Sequence, residues 1–456
     1  MPFSFAQPDD LPRIVRFCAK ADLDAVLARL GDEGAAHVRA AGFSARSGEW
    51  VTLPGTGEAL FGVGDGASPF EAGAAPLTLP EGVWQAGEYP AGWDATVLAT
   101  ALGFGSYQFT RYRAAPRKPA RFICPDGADE TEALRIIAGA WRCRDLVNTP
   151  AGDMLPSHLE AVARDVAKAG KAKISVIKGD DLLKKNYPMI HAVGRASTDA
   201  PRLIEIHWGE DTHPRIALVG KGVCFDSGGL NIKGGEGMRI MKKDMGGAAH
   251  VLALAQMIMA ANLPVRLHVL VPAVENAIAG NAFRPGDILP SRKGLTVEIG
   301  NTDAEGRLVL GDALARACED KPELVIDMAT LTGAARIALG PELAPVYTDD
   351  DALAADMAAA ALAVDDPVWR MPLWKGYESQ MEGDISDMSN TGAGPMAGSI
   401  TAALVLKRFV DAPAWMHMDI YAWNPKARPG RPSGGEMLGA RAVWEVLKKR
   451  YGGARG

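Results

Sequence analysis

The stretch NTDAEGRL carries three residues whose types and spacing could do chemistry. Asp303, Glu305 and Arg307 occupy alternate positions directly after an apolar run, 295–299, that predicts a strand. Alternate side chains of an extended chain point to the same side, so an extended backbone would present two carboxylates and a guanidinium on one surface. Two anionic oxygen ligands can hold a cation, and a neighbouring arginine can hold an anion. The stretch therefore predicts one half of a metal site.

A second group of candidate ligands lies upstream, in the segments GKGVCFDSGGLNIK and MKKDMGGAA. The apolar run 216–219 predicts a buried strand, and the glycines after it predict a tight loop from which Lys221 and Asp226 project. Asp244 stands just ahead of the apolar run 248–260, which predicts a helix. Its carboxylate is therefore expected at a helix start, where negative charge is favoured. These residues predict the other half of the site.

If the acids of the two halves met in a cleft of low dielectric, their negative charges would need positive charges beside them. These acids are Asp226, Asp244, Asp303 and Glu305. Two divalent cations would neutralise them, and a metal pair of this kind activates a water for hydrolysis. An all-oxygen ligand set favours Mg or Mn, whereas a nitrogen ligand from Lys221 would shift the preference toward Zn, Mn or Co. The residues therefore predict a dinuclear hydrolytic centre and leave its metal open.

Four blocks carry a resemblance to the leucyl aminopeptidase (cytosol aminopeptidase) family of dinuclear metallo-exopeptidases: GKGVCFDSGGLNIK, MKKDMGGAA, NTDAEGRL and DMATLTGA. Their order and separations match those of the family. The resemblance runs from about residue 144 to the C-terminus, and before it only the stretch 101–113 is similar. It implies a metalloprotease that releases N-terminal amino acids, hydrophobic ones such as leucine, from peptides with a free N-terminus. It also implies a homohexamer.

The resemblance further implies how the metals are held. Asp226 and Glu305 would bridge the two ions, Asp303 would complete one site, and Lys221 and Asp244 would complete the other. A lysine binds a metal only as the neutral amine, so the metals would have to lower the pKa of Lys221 far below its usual ~10.4. Mn or Zn are the first expectation for the two ions, with Co or Mg as the others.

The remaining roles also follow from the resemblance. Lys233 would stay cationic and stabilise the oxyanion, and Arg307 would hold a bicarbonate that serves as general base. Asp244 would also meet the substrate's amine. The residues implied to contact the substrate's first side chain and backbone are Met241, Thr330, Leu331 and Gly333. On residue type alone, Met241 is more often core filling, and the run 330–333 is more often a strand end and turn.

Other functions fit part of the pattern. Dinuclear carboxylate sites also cleave phosphate esters, but phosphoryl clamps usually recruit several cations, and here Arg307 is the single anion-holding arginine. A non-catalytic binding protein on the same fold would be expected to have lost site residues, and none of the seven is lost. The glycines around Lys221 lack the G-x-x-x-x-G-K-[ST] pattern, so they do not predict a nucleotide loop. The eight histidines show no ligand spacing and are interpreted as structural.

The length of 456 residues exceeds one ordinary core and predicts two domains. We expect an α/β protein with a small N-terminal α/β domain at 1–127, a linking helix at 128–147 and a larger catalytic domain at 148–456. The catalytic part should hold a mostly parallel central sheet flanked by helices, with the site at the carboxyl ends of the strands. The predicted strands lie at 202–206, 216–219, 265–271, 297–299 and 324–328.

Composition bears on compartment and partners. The five cysteines are odd in number and lack close pairs, which indicates reduced thiols and a cytoplasmic protein. Asp9 and Asp10 stand where a signal peptide needs an apolar core, and no uninterrupted apolar run predicts a membrane span. The formal charge of −6 is mild for this length, which disfavours a nucleic-acid partner.

Overall fold

The structure is a computed structural model and describes residues 2–7 and 11–453. Asp9 and Asp10, which entered the argument against a signal peptide, lie outside the described residues. The chain divides into two compact units. One comprises Met1–Trp141 and Asn424–Gly434, and the other comprises Arg142–Trp423 and Gly435–Gly456. The first unit thus includes a segment from far along the chain, which no local sequence pattern predicts.

The first unit is built on a short, mixed sheet. Its strands are β1 (Arg13–Cys18), β2 (Trp50–Thr52), β3 (Ala59–Gly62), β4 (Val83–Ala86) and β5 (Arg121–Phe122). In the described residues they lie in the order β2-β3-β1-β4-β5, with β2 antiparallel to β3 and the other pairs parallel. The helices are α1 (Leu23–Arg29), α2 (Gly31–Ala40), α3 (Ala75–Thr78) and α4 (Ala95–Gly105), with 3-10 turns at Lys20–Asp22 and Pro69–Ala74.

The segment 128–147 is largely helical, as α5 (Glu130–Asn148), and the division between the units falls within this helix. The helices of the second unit are α6 (Pro156–Ala169), α7 (Asp181–Lys184), α8 (Pro188–Gly194), α9 (Gly235–Met238), α10 (Gly246–Ala260), α11 (Glu305–Glu319), α12 (Gly333–Leu339), α13 (Asp351–Ala363), α14 (Gly398–Lys407) and α15 (Ala440–Tyr451). Its 3-10 turns are Ala151–Asp153, Met241–Met245 and Lys375–Met381.

The remaining strands are β6 (Lys173–Lys178), β7 (Arg202–Trp208), β8 (Arg215–Gly220), β9 (Gly222–Asp226), β10 (Arg266–Asn276), β11 (Ile288–Pro290), β12 (Thr296–Glu298), β13 (Leu324–Ala329), β14 (Ala344–Tyr347), β15 (Val368–Arg370), β16 (Met388–Ser389), β17 (Ala414–Asp419), β18 (Trp423–Asn424) and β19 (Gly434–Gly435). Across the described residues, nine of them form the central sheet of the second unit. Its order is β15-β14-β17-β13-β8-β10-β7-β6, and β9 pairs with the far end of β10.

The middle of this sheet is parallel and buried on both faces. Strands β17, β13, β8 and β10 run side by side in one direction, and antiparallel steps occur only toward the flanks among the described strands. Their sequences are near-continuous apolar runs, as expected of strands covered by helices on both faces. Helix α10 is apolar almost all round and packs on β8 and β13. The predicted α/β class with a mostly parallel sheet is confirmed.

Three local expectations were wrong. NTDAEGRL is not extended, because α11 begins at Glu305 and takes the residues after it into a helix whose apolar side chains enter the core. The segment Gly222–Asp226 is a strand and not a tight loop, because its apolar residues pair in parallel with β10. The predicted strand at 297–299 lies outside the central sheet, since β12 pairs with β11 and β16 in a small separate sheet.

No helix among the described residues combines the length and the apolar character needed to cross a bilayer.

Candidate metal centre

Polar residues stand at the carboxyl ends of three parallel strands. Lys221 comes directly after β8, Thr330 comes directly after β13, and Asp419 is the last residue of β17. Because β13 lies between β8 and β17 and is parallel to both, these three residues meet at one edge of the sheet. The N–H of Lys221 donates to the carbonyl of Met328 at 3.0 Å, and the N–H of Ala248 donates to the carbonyl of Lys221 at 2.8 Å. The backbone of Lys221 is therefore fixed on both sides.

The Lys221 ammonium is buried between two acids. Its Nζ lies 2.8 Å from Asp244 Oδ2 and 2.8 Å from Glu305 Oε1, and it donates to the carbonyl of Thr330 at 3.1 Å. Burial by itself would lower the pKa of Lys221, but the charges of Asp244 and Glu305 raise it well above its ordinary value. Ligation by Lys221 would therefore require the charge of bound metals to reverse this shift.

Asp244 reaches this position from the 3-10 turn Met241–Met245, which leads directly into helix α10, so it lies just ahead of that helix as expected. Its Oδ1 accepts a hydrogen bond from the Thr330 hydroxyl at 2.7 Å. Burial would raise the pKa of Asp244, but the neighbouring charges of Lys221 and Lys243 lower it below its usual value. The carboxylate is thus held ionised and oriented from two sides.

A second lysine joins the other two acids. Lys233 Nζ lies 2.7 Å from Asp226 Oδ2 and 2.5 Å from Asp303 Oδ1. Asp226, at the end of β9, also accepts hydrogen bonds on Oδ1 from the N–H of Gly228 at 2.9 Å and from Asn276 Nδ2 at 2.8 Å. Burial would lower the pKa of Lys233, but the charges of Asp226 and Glu305 raise it above the ordinary value. Lys233 is therefore a cation at neutral pH.

The acids cluster tightly enough to hold a metal ion. One carboxylate oxygen from each of Asp226, Asp244 and Glu305 lies within 4.8 Å of the others, and all three residues are buried. Burial, together with the charge of Asp226, raises the pKa of Glu305 to about 8 and that of Asp303 to about 6. Glu305 Oε2 is buried and accepts no hydrogen bond from the described residues. A divalent cation can bind a buried carboxylate oxygen that has no hydrogen-bond partner. This set of residues therefore fits such an ion.

Arg307 lies two residues after Glu305 in helix α11 and is nine-tenths buried. Its Nη1 donates to the carbonyl of Asn390 at 2.6 Å, and this is its single hydrogen bond within the described part of the chain. Burial lowers its pKa to about 10, so it stays cationic at neutral pH. The remaining guanidinium N–H groups are available to an anion.

A cavity of about 410 Å³ opens onto this centre. Its wall includes four of the sequence-predicted metal ligands, Lys221, Asp226, Asp244 and Asp303, and also Lys233. The four predicted substrate contacts, Met241, Thr330, Leu331 and Gly333, line it as well. Glu305 and Arg307 are not among the described residues that line it. The structure thus brings all of the predicted site residues into one region at the carboxyl edge of the sheet.

Sequence reasoning missed several residues of this region. Asp419 is buried, and its carboxylate accepts hydrogen bonds from the N–H groups of Leu331 and Thr332, which holds the loop after β13. Lys243, Arg336 and Tyr421 line the cavity, and burial lowers the pKa of Lys243 to about 8. The position of Asp419 at the end of an apolar strand was a usable signal. Lys243 stands in the MKKDMGGAA segment next to Asp244, whereas nothing local marked Arg336 or Tyr421.

Glu205, His207 and His268 also come together, which their linear spacing does not reveal. His207 and His268 face each other on β7 and β10, their rings stack at 4.1 Å, and ligand atoms of all three residues lie within 4.8 Å of one another. However, Arg316 Nε lies 3.2 Å from Glu205 Oε2, and a guanidinium there opposes binding of a further cation. We interpret this group as a structural ion-pair cluster at the carboxyl end of β7 and the amino end of β10.

Comparison with known proteins agrees with the resemblance found in the sequence. The family model described as "Cytosol aminopeptidase family, catalytic domain" matches residues 141–444, and "M17 aminopeptidase, N-terminal domain" matches residues 14–125. The second match corrects the expectation that similarity before residue 127 is confined to 101–113. A probable cytosol aminopeptidase of Syntrophotalea carbinolica is 38% identical over 384 residues, which are 79% of this chain and 77% of the relative.

Solved structures match over nearly the whole chain. The cytosol aminopeptidase of Coxiella burnetii is 43% identical, covers 98% of both chains and superposes with a TM-score of 0.93. The bottromycin maturation enzyme BotP in complex with Mn is 30% identical, with a TM-score of 0.86 over 96% of this chain and 99% of its own. With these matches and a carboxylate centre suited to divalent metal, the chain belongs to the M17 cytosol aminopeptidase family and is a metal-dependent aminopeptidase that acts on peptides.

Proposed function

We propose that the two predicted halves form one dinuclear metal site. Asp226 and Glu305 would bridge two divalent ions, Asp303 would complete one coordination shell, and Lys221 with Asp244 would complete the other. The observation that carries the proposal is the convergence of Asp226, Asp244 and Glu305 within 4.8 Å, together with the unpartnered Oε2 of Glu305. The two lysines compensate the acids in this geometry, so metal binding would displace Lys221 and Lys233 from their ion pairs.

The residues of the site would then have separate roles in the reaction. Bound metals would supply polarisation of the peptide carbonyl and a water of lowered pKa. Lys233, a cation on the cavity wall, would stabilise the negative charge that develops on the carbonyl oxygen. Asp244 would orient the free α-amine of the substrate, which restricts cleavage to the first peptide bond. Met241, Thr330, Leu331 and Gly333 would contact the first residue and its backbone.

Arg307 is proposed to bind bicarbonate. Its guanidinium makes one hydrogen bond within the described residues and stays cationic at neutral pH, which leaves donors for a planar anion. Bicarbonate at this place would supply a general base beside the acids. Arg307 itself would position that anion.

Mn or Zn is the proposed metal, with Co or Mg as less favoured replacements. A mixed set of carboxylates and one amine suits Mn and Zn better than Mg. The structure of BotP with Mn supports Mn as a metal that this fold accepts. Hydrophobic first residues such as leucine are the proposed substrates.

We also propose a cytoplasmic homohexamer. The relatives are named cytosol aminopeptidases. Several large apolar side chains of the second unit are exposed in the single chain, and contact with another copy would bury them. They include Trp369, Trp374, Ile385 and Met396. Light scattering coupled to gel filtration would give the number of subunits.

The central test is hydrolysis of leucine p-nitroanilide by chelator-treated protein before and after addition of Mn, Zn, Co or Mg. Glu305→Gln is compared with Glu319→Gln, at the exposed other end of the same helix. Activity restored by metal in the wild type and in Glu319→Gln, but absent from Glu305→Gln, supports the site. Equal activity in both variants would remove Glu305 from the metal centre.

A further inference from the structure

Two cations on the cavity wall are not held in an ion pair. Lys243 and Arg336 both line the cavity, and neither forms an ion pair within the described part of the chain. Lys243 is buried, with 5% of the residue's surface exposed, whereas Arg336 is exposed. An unpaired buried charge costs free energy, so its presence at a ligand cavity needs a reason.

Both cations are arranged around one aromatic ring. Lys243 Nζ lies 4.8 Å from the centroid of the Tyr421 ring, and the Arg336 guanidinium carbon lies 5.4 Å from the same centroid. Contacts of this kind hold a cation in place without neutralising its charge. Tyr421 thus fixes two positive charges near each other at the cavity.

Burial lowers the pKa of Lys243 and outweighs the nearest acids, Asp244 and Asp419, which act to raise it, and neither acid forms an ion pair with Lys243. Asp244 is engaged by Lys221 and Thr330, and Asp419 by the loop after β13. Glu236 lines the same cavity but is exposed on the short helix α9. The other lining lysines, Lys221 and Lys233, are each shared between two acids.

We propose that Lys243 and Arg336, held around Tyr421, form a carboxylate-binding subsite of the substrate cavity. The enzyme would then favour peptides that present a carboxylate there. Two parts of a peptide carry this group: the side chain of a first Asp or Glu residue, and the C-terminus of a dipeptide. A charge-assisted pair with either would add to the hydrophobic contacts proposed above and would disfavour a basic group at the same place.

The test separates the two sources. One pair of substrates, glutamyl and glutaminyl p-nitroanilide, differs only in a side-chain carboxylate. The other pair, Leu-Gly and Leu-Gly amide, differs only in the C-terminal carboxylate. Each is assayed with the metal-loaded wild type and with Arg336→Gln, Lys243→Met and the control Arg239→Gln, whose side chain is exposed and outside the cavity wall.

For one substrate pair, we expect kcat/KM of the carboxylate-bearing member to fall about 10- to 100-fold in Arg336→Gln and in Lys243→Met, mainly through KM. In Arg336→Gln the neutral partner should change little, and the Arg239 control should leave both members nearly unchanged. Lys243→Met also removes a charge beside Asp244, so it is judged by the ratio between the two members of a pair. The affected pair identifies the source of the carboxylate. The proposal is overturned if neither ratio changes, or if both members of each pair fall equally.

The inference rests on the proposed role of this cavity as the substrate site, and the two can fail separately. Leucine p-nitroanilide lacks both carboxylates, so its turnover and its loss in Glu305→Gln report the metal site alone. Thermal denaturation of Lys243→Met shows whether a uniform loss reflects unfolding, and the exposed Arg336 variant gives the same test without disturbing the core.

Discussion

Lys221 Nζ lies 2.8 Å from Glu305 Oε1, so a lysine that follows strand β8 meets the first residue of helix α11. The same atom is equally close to Asp244 Oδ2. A lysine in this position competes with a metal for both carboxylates when it is charged, and can join the metal as a ligand when it is neutral. The balance between these two states is a property of the site that can be measured.

Removal of this lysine should weaken both folding and metal binding. In Lys221→Met the buried acids lose their counter-ion, and breaking a buried ion pair in this way costs about 3–5 kcal/mol of unfolding free energy. Urea denaturation of the metal-free protein measures this loss of unfolding free energy. We also expect a large loss of leucine p-nitroanilide turnover at saturating metal. The exposed Lys185→Met serves as a control, and stability equal to that of the control would contradict the role of Lys221 as counter-ion.

Asn276 should tune metal affinity without touching the metal. Its Nδ2 donates to Asp226 Oδ1 at 2.8 Å and to the carbonyl of Thr302 at 3.1 Å. Loss of an oriented ligand partner typically weakens metal affinity about 10–100-fold. We therefore expect Asn276→Leu to shift the metal concentration that restores half of the activity by that factor. Asn281→Leu, at an exposed position, should leave the midpoint in place.

Two glycines of helix α11 should separate activity from stability. A Cβ at Gly306 would lie 2.6 Å from Lys221 Cε and 2.9 Å from its Nζ, so Gly306→Ala should displace that side chain and lower kcat. A Cβ at Gly311 would instead lie 2.8 Å from Met189 Cε and 3.0 Å from the Phe409 ring.

Gly311→Ala should therefore lower the melting temperature through overpacking, with little change in the specific activity of the folded enzyme. Gly306→Ala should lower the melting temperature as well, because it moves Lys221 from its buried ion pairs, but of the two variants it alone should lower kcat. Parallel thermal melts and rate measurements check the pair. Equal losses of activity in the two variants would contradict the assignment.

His250 should make stability fall with acid. Burial lowers its pKa to about 4, and its Nε2 accepts a hydrogen bond from the N–H of Leu438. The unfolded chain takes up a proton near pH 6.5, but the folded chain resists until about pH 4, so this contribution is present above pH 6.5 and is lost as the pH falls through that window.

Between pH 7 and pH 5 the loss from His250 amounts to about 2 kcal/mol. His250→Gln removes the titrating group, so its unfolding free energy should decline less over this interval than that of the wild type. Urea denaturation at the two pH values gives the difference. Parallel declines in the two proteins would show that His250 does not carry the effect.

Much of the chemistry was readable from local sequence. The acids, Lys221 and Arg307 stand in short motifs whose residue types suit metal and anion binding, and the apolar runs around β8 and β13 predicted buried parallel strands. Strand pattern alone also placed the site at the carboxyl edge of the sheet, because side chains that follow parallel strands share that edge.

The errors arose where tertiary packing and strand pairing overrode a local pattern. Asp303, Glu305 and Arg307 are spaced two apart, which suits an extended chain, but the burial of the apolar side chains after Glu305 decides for a helix. The glycines after Lys221 suggested a loop, yet β10 is long enough to pair with Gly222–Asp226 and draw it into the sheet. Pairing partners lie far along the chain and leave no trace in a local window.

The sequence by itself therefore determined the kind of chemistry, since that depends on residue types and on short spacings that a single loop or strand end preserves. Only the tertiary structure decided which charged groups lie close together. The ion pairs of Lys221 with Glu305 and of Lys233 with Asp303, and the meeting of Lys243 and Arg336 at Tyr421, join segments that are distant in the chain. Electrostatic interaction depends on distance in space and on burial, and neither is written in the order of the residues.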